Sequence, residues 1–268
     1  MKKDYRSETV KKIVVIGESN AFGMCAADPR NEWVQTVANL IRDFQDEPLS
    51  VVNNSIPANV ISPRSPGYAG IPEYGKPSGL ERYEQDLIEH QPDIAIIAYG
   101  LNDSRCGYPV ALFLEELKQI VADTKKKTKA LIVLTSPYWN TQYDEELWNS
   151  LDPKPDWVQD FSVFAVTGRN LAASYVSGIE KLAHNYGCLF ADLFTPTEGC
   201  TWLLHKDHCH YNDAGHRVIG QIVFNVIAGN CSFIGKKSLR IANEGNFDVS
   251  NTGGTHGTSR MIRNWLGR

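Results

Sequence analysis

The chain has 268 residues and a nearly balanced charge, with 27 Lys and Arg against 31 Asp and Glu and a formal net charge of −4. Hydrophobic residues make up 42% of the chain and charged residues 22%, a composition typical of folded globular proteins and not of disordered or fibrous ones. The slightly acidic balance argues against a nucleic-acid-binding protein, which usually carries a basic surplus.

Membrane and export signals are absent from the sequence pattern. The chain has no apolar run of about 18 residues, so we predict no membrane span. Its polar, basic start lacks the apolar core of a signal peptide, and we therefore expect a cytoplasmic protein. The six cysteines are scattered without a CxxC spacing, which favours reduced, packed thiols.

Strand-like and helix-like segments alternate along the chain. Short apolar runs predict five strands, at Lys12–Gly17, Leu49–Asn53, Asp93–Tyr99, Ala130–Thr135 and Cys188–Leu193. Helical spacing of apolar residues predicts helices at Asn31–Phe44, Ser78–His90, Val110–Thr124, Asp160–Tyr186, with a kink at Gly168, and Asn212–Ile227. This alternation predicts βαβ units and a parallel sheet in one domain, residues 1–234, followed by a polar extension, residues 235–268.

Two long segments interrupt the alternation, Pro57–Gly79 and Pro137–Trp157. Both leave the carboxyl ends of predicted strands, where parallel sheets hold their active sites, so we expect them to flank one cleft. The second segment is rich in aromatic residues, namely Tyr138, Trp139, Tyr143, Trp148 and Trp157. These rings could stack on sugar faces or simply pack the segment onto the sheet.

Polar groups follow several predicted strands at the same edge of the sheet. Ser19, after the first strand, can present its hydroxyl as a nucleophile and its own N–H as an oxyanion donor, or it can cap the next helix. Asn53–Asn59 follows the second strand and reads as a turn. Asn102, after the third strand, can donate its amide to an anion or form an Asn-Asp turn with Asp103.

The segment His205–His216 is rich in histidine and lies before the last helix. His and Cys are zinc ligands, but the segment lacks the paired spacing of zinc sites, so we expect no metal. The favoured interpretation is a general base with its orienting carboxylate: Asp207 fixes the tautomer of His210, which accepts the serine proton. His208 is the alternative base.

In this order along the chain, the four segments resemble the conserved blocks of the SGNH hydrolases, the GDSL-like esterase/lipase superfamily. Gly17-Glu18-Ser19 is similar to the GDS block, Val52–Asn59 to the second block, Gly100–Asp103 to GxND and Asp207–His210 to DxxH. The resemblance implies a flavodoxin-like, three-layer α/β/α fold with a central parallel sheet of about five strands. It also implies a triad of Ser19, His210 and Asp207, with oxyanion donors from Ser19, Ala58 and Asn102.

The chain departs from the family pattern at two positions. Glu18 replaces an Asp that the resemblance implies supports the turn. Ala58 stands where the family has Gly, close to the oxyanion. We expect Ala58 to keep a negative φ with its methyl group turned away, because a positive φ is disfavoured for alanine.

The sequence therefore predicts a serine esterase that needs no metal or cofactor and acts on a small-molecule ester. The preferred substrate is a small O-acyl group, such as acetyl, on a carbohydrate. The alternatives are a lysophospholipase or thioesterase, which would need an apolar groove, and a non-catalytic SGNH-like binding protein. A flavodoxin-like phosphate binder is disfavoured because Glu18 would lie beside the phosphate.

Overall fold

The computed structural model describes residues 3–164 and 168–235, whose strands form one parallel sheet in the order β2-β1-β3-β4-β5. The strands are β1 (Lys12–Gly17), β2 (Ser50–Asn53), β3 (Ile94–Ala98), β4 (Leu131–Thr135) and β5 (Leu189–Ala191). All five predicted strands are thus present, with ends that differ from the prediction by at most two residues. Beyond Gly235, the predicted C-terminal extension lies outside the described residues, and its role stays a prediction.

Helices connect the strands and follow the last one. They are α1 (Ser19–Phe22), α2 (Trp33–Asp43), α3 (Gly79–Tyr83), α4 (Leu101–Arg105), α5 (Val110–Lys127), α6 (Glu145–Ser150), α7 (Trp157–Asp160), α8 (Arg169–Tyr186) and α9 (Asp213–Ala228). α3 continues into a π-helical turn, Glu84–Ile88.

One predicted helix is wrong in extent. The stretch Asp160–Tyr186 is not a single helix, because α7 ends at Asp160 and α8 begins only at Arg169. Gly168 precedes α8 with φ 121°, a backbone conformation that no right-handed helix contains. The periodic spacing of apolar residues thus continues past Gly168 although the helix itself is interrupted there.

The sheet has a hydrophobic core on each face, which confirms the three-layer α/β/α architecture. In β1, Ile13 and Val15 pack on the face covered by α2 and α9. Val14 and Ile16 point to the opposite face, where α5 and α8 cover the sheet. Because both faces are buried, the strands are apolar throughout.

The strand order reverses between β1 and β3, and their carboxyl ends form the switch point where open α/β sheets bind ligands. Gly17 ends β1, and a Cβ at this position would lie 2.6 Å from the Ala98 carbonyl oxygen of β3. Only glycine permits this approach, which sets the start of the turn that carries Ser19. Among the described residues, no helix is long and apolar enough to cross a membrane.

Candidate active site

Ser19 is the first residue of α1, immediately after the tight end of β1. The Glu18 side chain caps this helix, since its Oε2 accepts a hydrogen bond from the Asn20 N–H at 3.1 Å. Ser19 is only 4% exposed, so its hydroxyl is recessed at the base of a cavity. The longer carboxylate at position 18 therefore still forms a regular turn.

A continuous set of hydrogen bonds joins Ser19, His210 and Asp207. The Ser19 Oγ lies 2.9 Å from His210 Nε2, and His210 Nδ1 lies 2.6 Å from Asp207 Oδ2. The other carboxylate oxygen, Oδ1, accepts from the backbone N–H groups of Cys209 and His210 at 3.0 Å each. The loop thus fixes the carboxylate before it orients the imidazole.

Asp207 remains ionised in this arrangement. Burial raises the pKa of Asp207, but the hydrogen bonds and charge of His210, with the two backbone donors, outweigh burial and hold the pKa well below its usual range. A carboxylate in this state favours the imidazolium that forms when His210 accepts a proton.

His208 does not occupy the position of the base. His208 has φ 59°, and its carbonyl oxygen accepts hydrogen bonds from Thr141. Its ring makes no hydrogen bond to Ser19, whereas the ring of His210 does. The geometry therefore favours the spacing of DxxH over the alternative with His208.

Glu18 is a second hydrogen-bond partner of the serine hydroxyl. The Ser19 Oγ lies 3.0 Å from Glu18 Oε2, almost as close as it is to the imidazole. Burial raises the pKa of Glu18 to about 7, although hydrogen bonds from Asn20 and Ser19 and the charge of Arg105 act in the opposite direction. A hydroxyl has one proton to donate, so Glu18 and His210 compete for it.

Asn102 lies across the switch point, in α4, which follows a glycine with φ 119°. Its Nδ2 donates to the Asn59 carbonyl oxygen at 2.9 Å, and its Oδ1 accepts from Arg105 Nη1 at 3.2 Å. These two partners fix the orientation of the amide and leave the second N–H of Nδ2 for the cavity that Asn102 lines.

Ala58 has φ 62°, so the expectation of a negative φ is wrong. The neighbouring Asn59 imposes this conformation, because its side chain is buried and bonds to Gly75 O, Pro77 O, Arg82 and Tyr99. Ala58 thus takes the left-handed backbone that glycine would adopt there. Within the described part of the chain, its N–H has no hydrogen-bond partner.

Arg105 is a site residue that the sequence analysis missed. It lies one helical turn after Asn102, is 3% exposed, and lines the same cavity as Ser19. Its Cζ lies 4.6 Å from the centroid of the Trp157 ring, and its Nε donates to Gln142 Oε1. The available signal was a cation placed one turn after the donor asparagine.

The cavity has a volume of about 480 Å³, and both interrupting segments line it, as predicted. Pro57, Ala58 and Tyr74 come from the first segment, and residues 153–157 come from the second. Of the five aromatic residues in Pro137–Trp157, however, only Trp157 lines the cavity; Tyr138, Trp139, Tyr143 and Trp148 are buried. Tyr138, Trp139 and Tyr143 belong to the core on one face of the sheet, so packing is the correct interpretation for them, whereas Trp148 packs beside Trp157 with ring centroids 5.8 Å apart.

Three possible metal ligands converge beside the relay. In the part of the chain that the structure describes, Cys25, His205 and Asp207 offer atoms within 4.8 Å of one another. The shared carboxylate oxygen, Asp207 Oδ2, already bonds His210, and burial raises the pKa of Cys25 to about 12. Because metals bind thiolates, this donor set fits a resident metal poorly.

The sequence as a whole matches a known family over most of its length. The family profile described as GDSL-like Lipase/Acylhydrolase matches residues 15–218, which span the sheet and all four blocks. The chain belongs to this family. No curated protein matches the sequence.

Several solved structures share the fold of this chain but are distant from it in sequence. A lipase/acylhydrolase from Enterococcus faecalis is 18% identical with a TM-score of 0.57, covering 82% of this chain and 96% of that one. An acetylxylan esterase from Geobacillus stearothermophilus, solved as a catalytic mutant, is 22% identical with a TM-score of 0.56, covering 83% and 95%. An esterase from Pseudoalteromonas sp. is 18% identical with a TM-score of 0.55, covering 82% and 97%.

Proposed function

We propose that this member of the GDSL-like family is a serine esterase that hydrolyses a carboxylic ester through an acyl-enzyme. The observation that carries the proposal is the relay from Ser19 through His210 to Asp207, with contacts of 2.9 and 2.6 Å. This is the geometry that an activated serine nucleophile requires.

In the proposed reaction, Ser19 Oγ attacks the ester carbonyl carbon while His210 Nε2 accepts the hydroxyl proton. The tetrahedral oxyanion receives hydrogen bonds from the N–H groups of Ser19 and Ala58 and from the amide of Asn102. Its collapse expels the alcohol, which takes the proton from His210. Water then gives a proton to His210 as it attacks the acyl carbon, and collapse of the second tetrahedral intermediate breaks the bond to Ser19 Oγ, which takes that proton from His210 as the acid is released.

A small O-acyl group, such as acetyl on a carbohydrate, is the preferred substrate. The support is the position of Trp157 and Tyr74 at one cavity that also contains Ser19, since aromatic rings can stack on sugar faces. The fold likeness to an acetylxylan esterase supports the same preference. The four other aromatic rings of that segment are buried and therefore do not offer a surface for a sugar to stack on. The substrate test must accordingly vary both the acyl group and the alcohol.

The test is an ester panel with acyl chains from acetyl to palmitoyl and an acetylated xylo-oligosaccharide, given to wild type and Ser19→Ala. We expect hydrolysis that falls with acyl length in wild type, and a kcat lower by at least about 10⁴ in the variant. Ser19 is buried and bonds both Glu18 and His210, so the variant should change stability by about 1 kcal/mol.

Other outcomes of the panel have distinct meanings. Preference for long acyl chains would favour a lysophospholipase or thioesterase. Turnover retained in Ser19→Ala would contradict the proposed nucleophile. Binding of esters without turnover in wild type would indicate a non-catalytic protein of the same fold.

A further inference from the structure

Arg105 is a buried cation whose partners are all neutral. Its side chain is 3% exposed, with Nε donating to Gln142 Oε1 and Nη1 donating to Asn102 Oδ1. Across the described residues, no carboxylate lies within 4.0 Å of it, and its Nη2 makes no hydrogen bond. Buried charges in proteins are normally paired with an opposite charge, so this one lacks a counter-ion.

Aromatic rings hold the guanidinium in place beside the reacting serine. The Arg105 Cζ lies 4.6 Å from the ring centroid of Trp157 and 5.2 Å from that of Phe164. All three residues line the cavity that contains Ser19. A cation fixed in this way is preorganised for an anion that enters the cavity, because little side-chain freedom remains to be lost on binding.

The nearby carboxylates do not supply the missing charge. Glu18 acts on Arg105 electrostatically but lies beyond ion-pair distance, and burial raises its pKa to about 7. Asp207 is paired with His210 at 2.6 Å. Asp156 lines the cavity but is exposed to solvent, and it makes no ion pair with Arg105.

Further positive charge surrounds the same cavity. Lys154 and Lys206 line it together with Arg105, although the chain as a whole has a net charge of −4. Lys154 is held by the Trp148 ring at 4.8 Å and by the Trp148 carbonyl oxygen. With Asp156 and Asp207 as the two carboxylates of the lining, these three cations leave the cavity a surplus of one positive charge, which favours an anionic ligand.

We propose that Arg105 determines specificity by binding a carboxylate carried by the ester substrate, with Nη2 as a donor to that carboxylate. This inference rests on the proposed esterase function. The carboxylate belongs either to the acyl group, as in a dicarboxylic half-ester, or to the alcohol, as in an acylated acidic sugar. Both sources present the same planar anion, which an arginine binds well.

Two matched ester pairs test the proposal and distinguish these sources. The acyl pair is the para-nitrophenyl half-ester of adipic acid, whose carboxylate is too far along the chain to attack its own ester efficiently, against para-nitrophenyl heptanoate. The alcohol pair is para-acetoxybenzoate against para-acetoxybenzamide. Within each pair, kcat/KM is measured for wild type, Arg105→Gln, Arg105→Lys and the exposed control Arg30→Gln. The ratio within a pair cancels any general loss that follows when Asn102 loses its partner.

We expect wild type to prefer the anionic member of one pair by about tenfold or more, which is typical of a charged hydrogen bond. The preference should disappear in Arg105→Gln, persist in part in Arg105→Lys, and match wild type in Arg30→Gln. Equal wild-type rates within both pairs would overturn the proposal even if the Gln variant did not fold. An undiminished preference in Arg105→Gln would also overturn it.

Failure of the esterase function has a different signature. If wild type hydrolyses no member of either pair, the proposed function is contradicted, and this inference falls with it. If wild type hydrolyses the neutral esters as well as the anionic ones, the esterase stands and only the role of Arg105 is refuted.

Discussion

The two sides of the candidate active site differ in how fully their polar groups are paired. On the relay side, Ser19, His210 and Asp207 form a complete chain of hydrogen bonds. On the opposite side, the Ala58 N–H has no partner among the described residues, and Arg105 has no counter-ion. If the proposed function holds, the protein builds the proton relay by itself, whereas the substrate supplies the missing partners on the other side.

On the relay side, a substitution that preserves the shape of a side chain but changes its hydrogen bonding should lower kcat more than the other substitutions below. In Asp207→Asn, the side-chain amide can donate where the carboxylate accepts from His210 Nδ1, so the imidazole loses its correct tautomer. We expect kcat to fall by roughly 10³–10⁴. Steady-state hydrolysis of an acetyl ester measures it, with Asp156→Asn as the control carboxylate at the same cavity. A loss of less than about tenfold would contradict the assigned role.

On the side with the unpaired groups, a substitution should lower kcat and leave KM nearly unchanged. Asn102→Ala removes an amide that we assign to the oxyanion, which exists mainly in the transition state. We expect kcat to fall by about 10²–10³. The same steady-state assay separates the two constants, and Ser104→Ala, in the same helix, is the matched control. A rise in KM with unchanged kcat would show that Asn102 binds substrate and does not stabilise the oxyanion.

Glu18 links both sides, and its effect should depend on pH. Its pKa is raised by burial from 4.5 to about 7 in the folded protein, so the stability it contributes is present below pH 4.5 and is lost as pH rises to about 7. In Glu18→Gln this loss is absent. The free energy of unfolding of Glu18→Gln minus that of wild type should therefore rise by up to about 3 kcal/mol from acidic to alkaline pH.

Denaturant unfolding of both proteins across this pH range measures the difference. Asp103, whose pKa burial also raises to about 7, gives a decline of the same sign in both proteins. Because the charge of Glu18 contributes to the raised pKa of Asp103, the difference between the two proteins reports Glu18 together with its coupling to Asp103. A difference between the proteins that stays constant with pH would show that folding does not raise the pKa of Glu18.

Ala58→Gly should give the smallest effect. Because Ala58 already has φ 62°, its N–H takes the direction that glycine would give it, and turnover should change by less than about threefold. Relief of left-handed backbone strain should raise the free energy of unfolding of the variant. The lost methyl contact and the greater freedom of glycine in the unfolded chain should lower it, and each of these contributions is about 1 kcal/mol. Thermal unfolding and kcat test this. A tenfold rise in kcat would show that the native donor is misaimed.

The sequence was sufficient for the sheet and for the relay, because both leave short-range signals. Buried parallel strands are continuous apolar runs, and β1 begins and ends as predicted at Lys12 and Gly17. Asp207 and His210 are three residues apart, so their contact follows from one loop. The contact with Ser19, nearly two hundred residues away, was expected because both segments were placed at the same edge of the sheet, and the family resemblance strengthened that expectation.

The features that the sequence did not reveal depend on tertiary contacts. The left-handed φ of Ala58 is imposed by Asn59, whose partners lie in a loop and a helix further along the chain. The charge of Arg105 points to an anion-binding role only because its hydrogen-bond partners are neutral, and the folded structure is needed to identify those partners. Burial of Tyr138 and Trp139 could not be distinguished from a sugar-binding face by residue type alone.

Covalent labelling of Ser19 tests the central claim most directly. A fluorophosphonate reacts only with a serine activated by its base, and peptide mass spectrometry locates the adduct. We expect one phosphonate adduct, on the peptide that contains Ser19. This adduct should be absent in Ser19→Ala, and it should form much more slowly in His210→Gln. An adduct on a different residue, or labelling that is unchanged in Ser19→Ala, would contradict it.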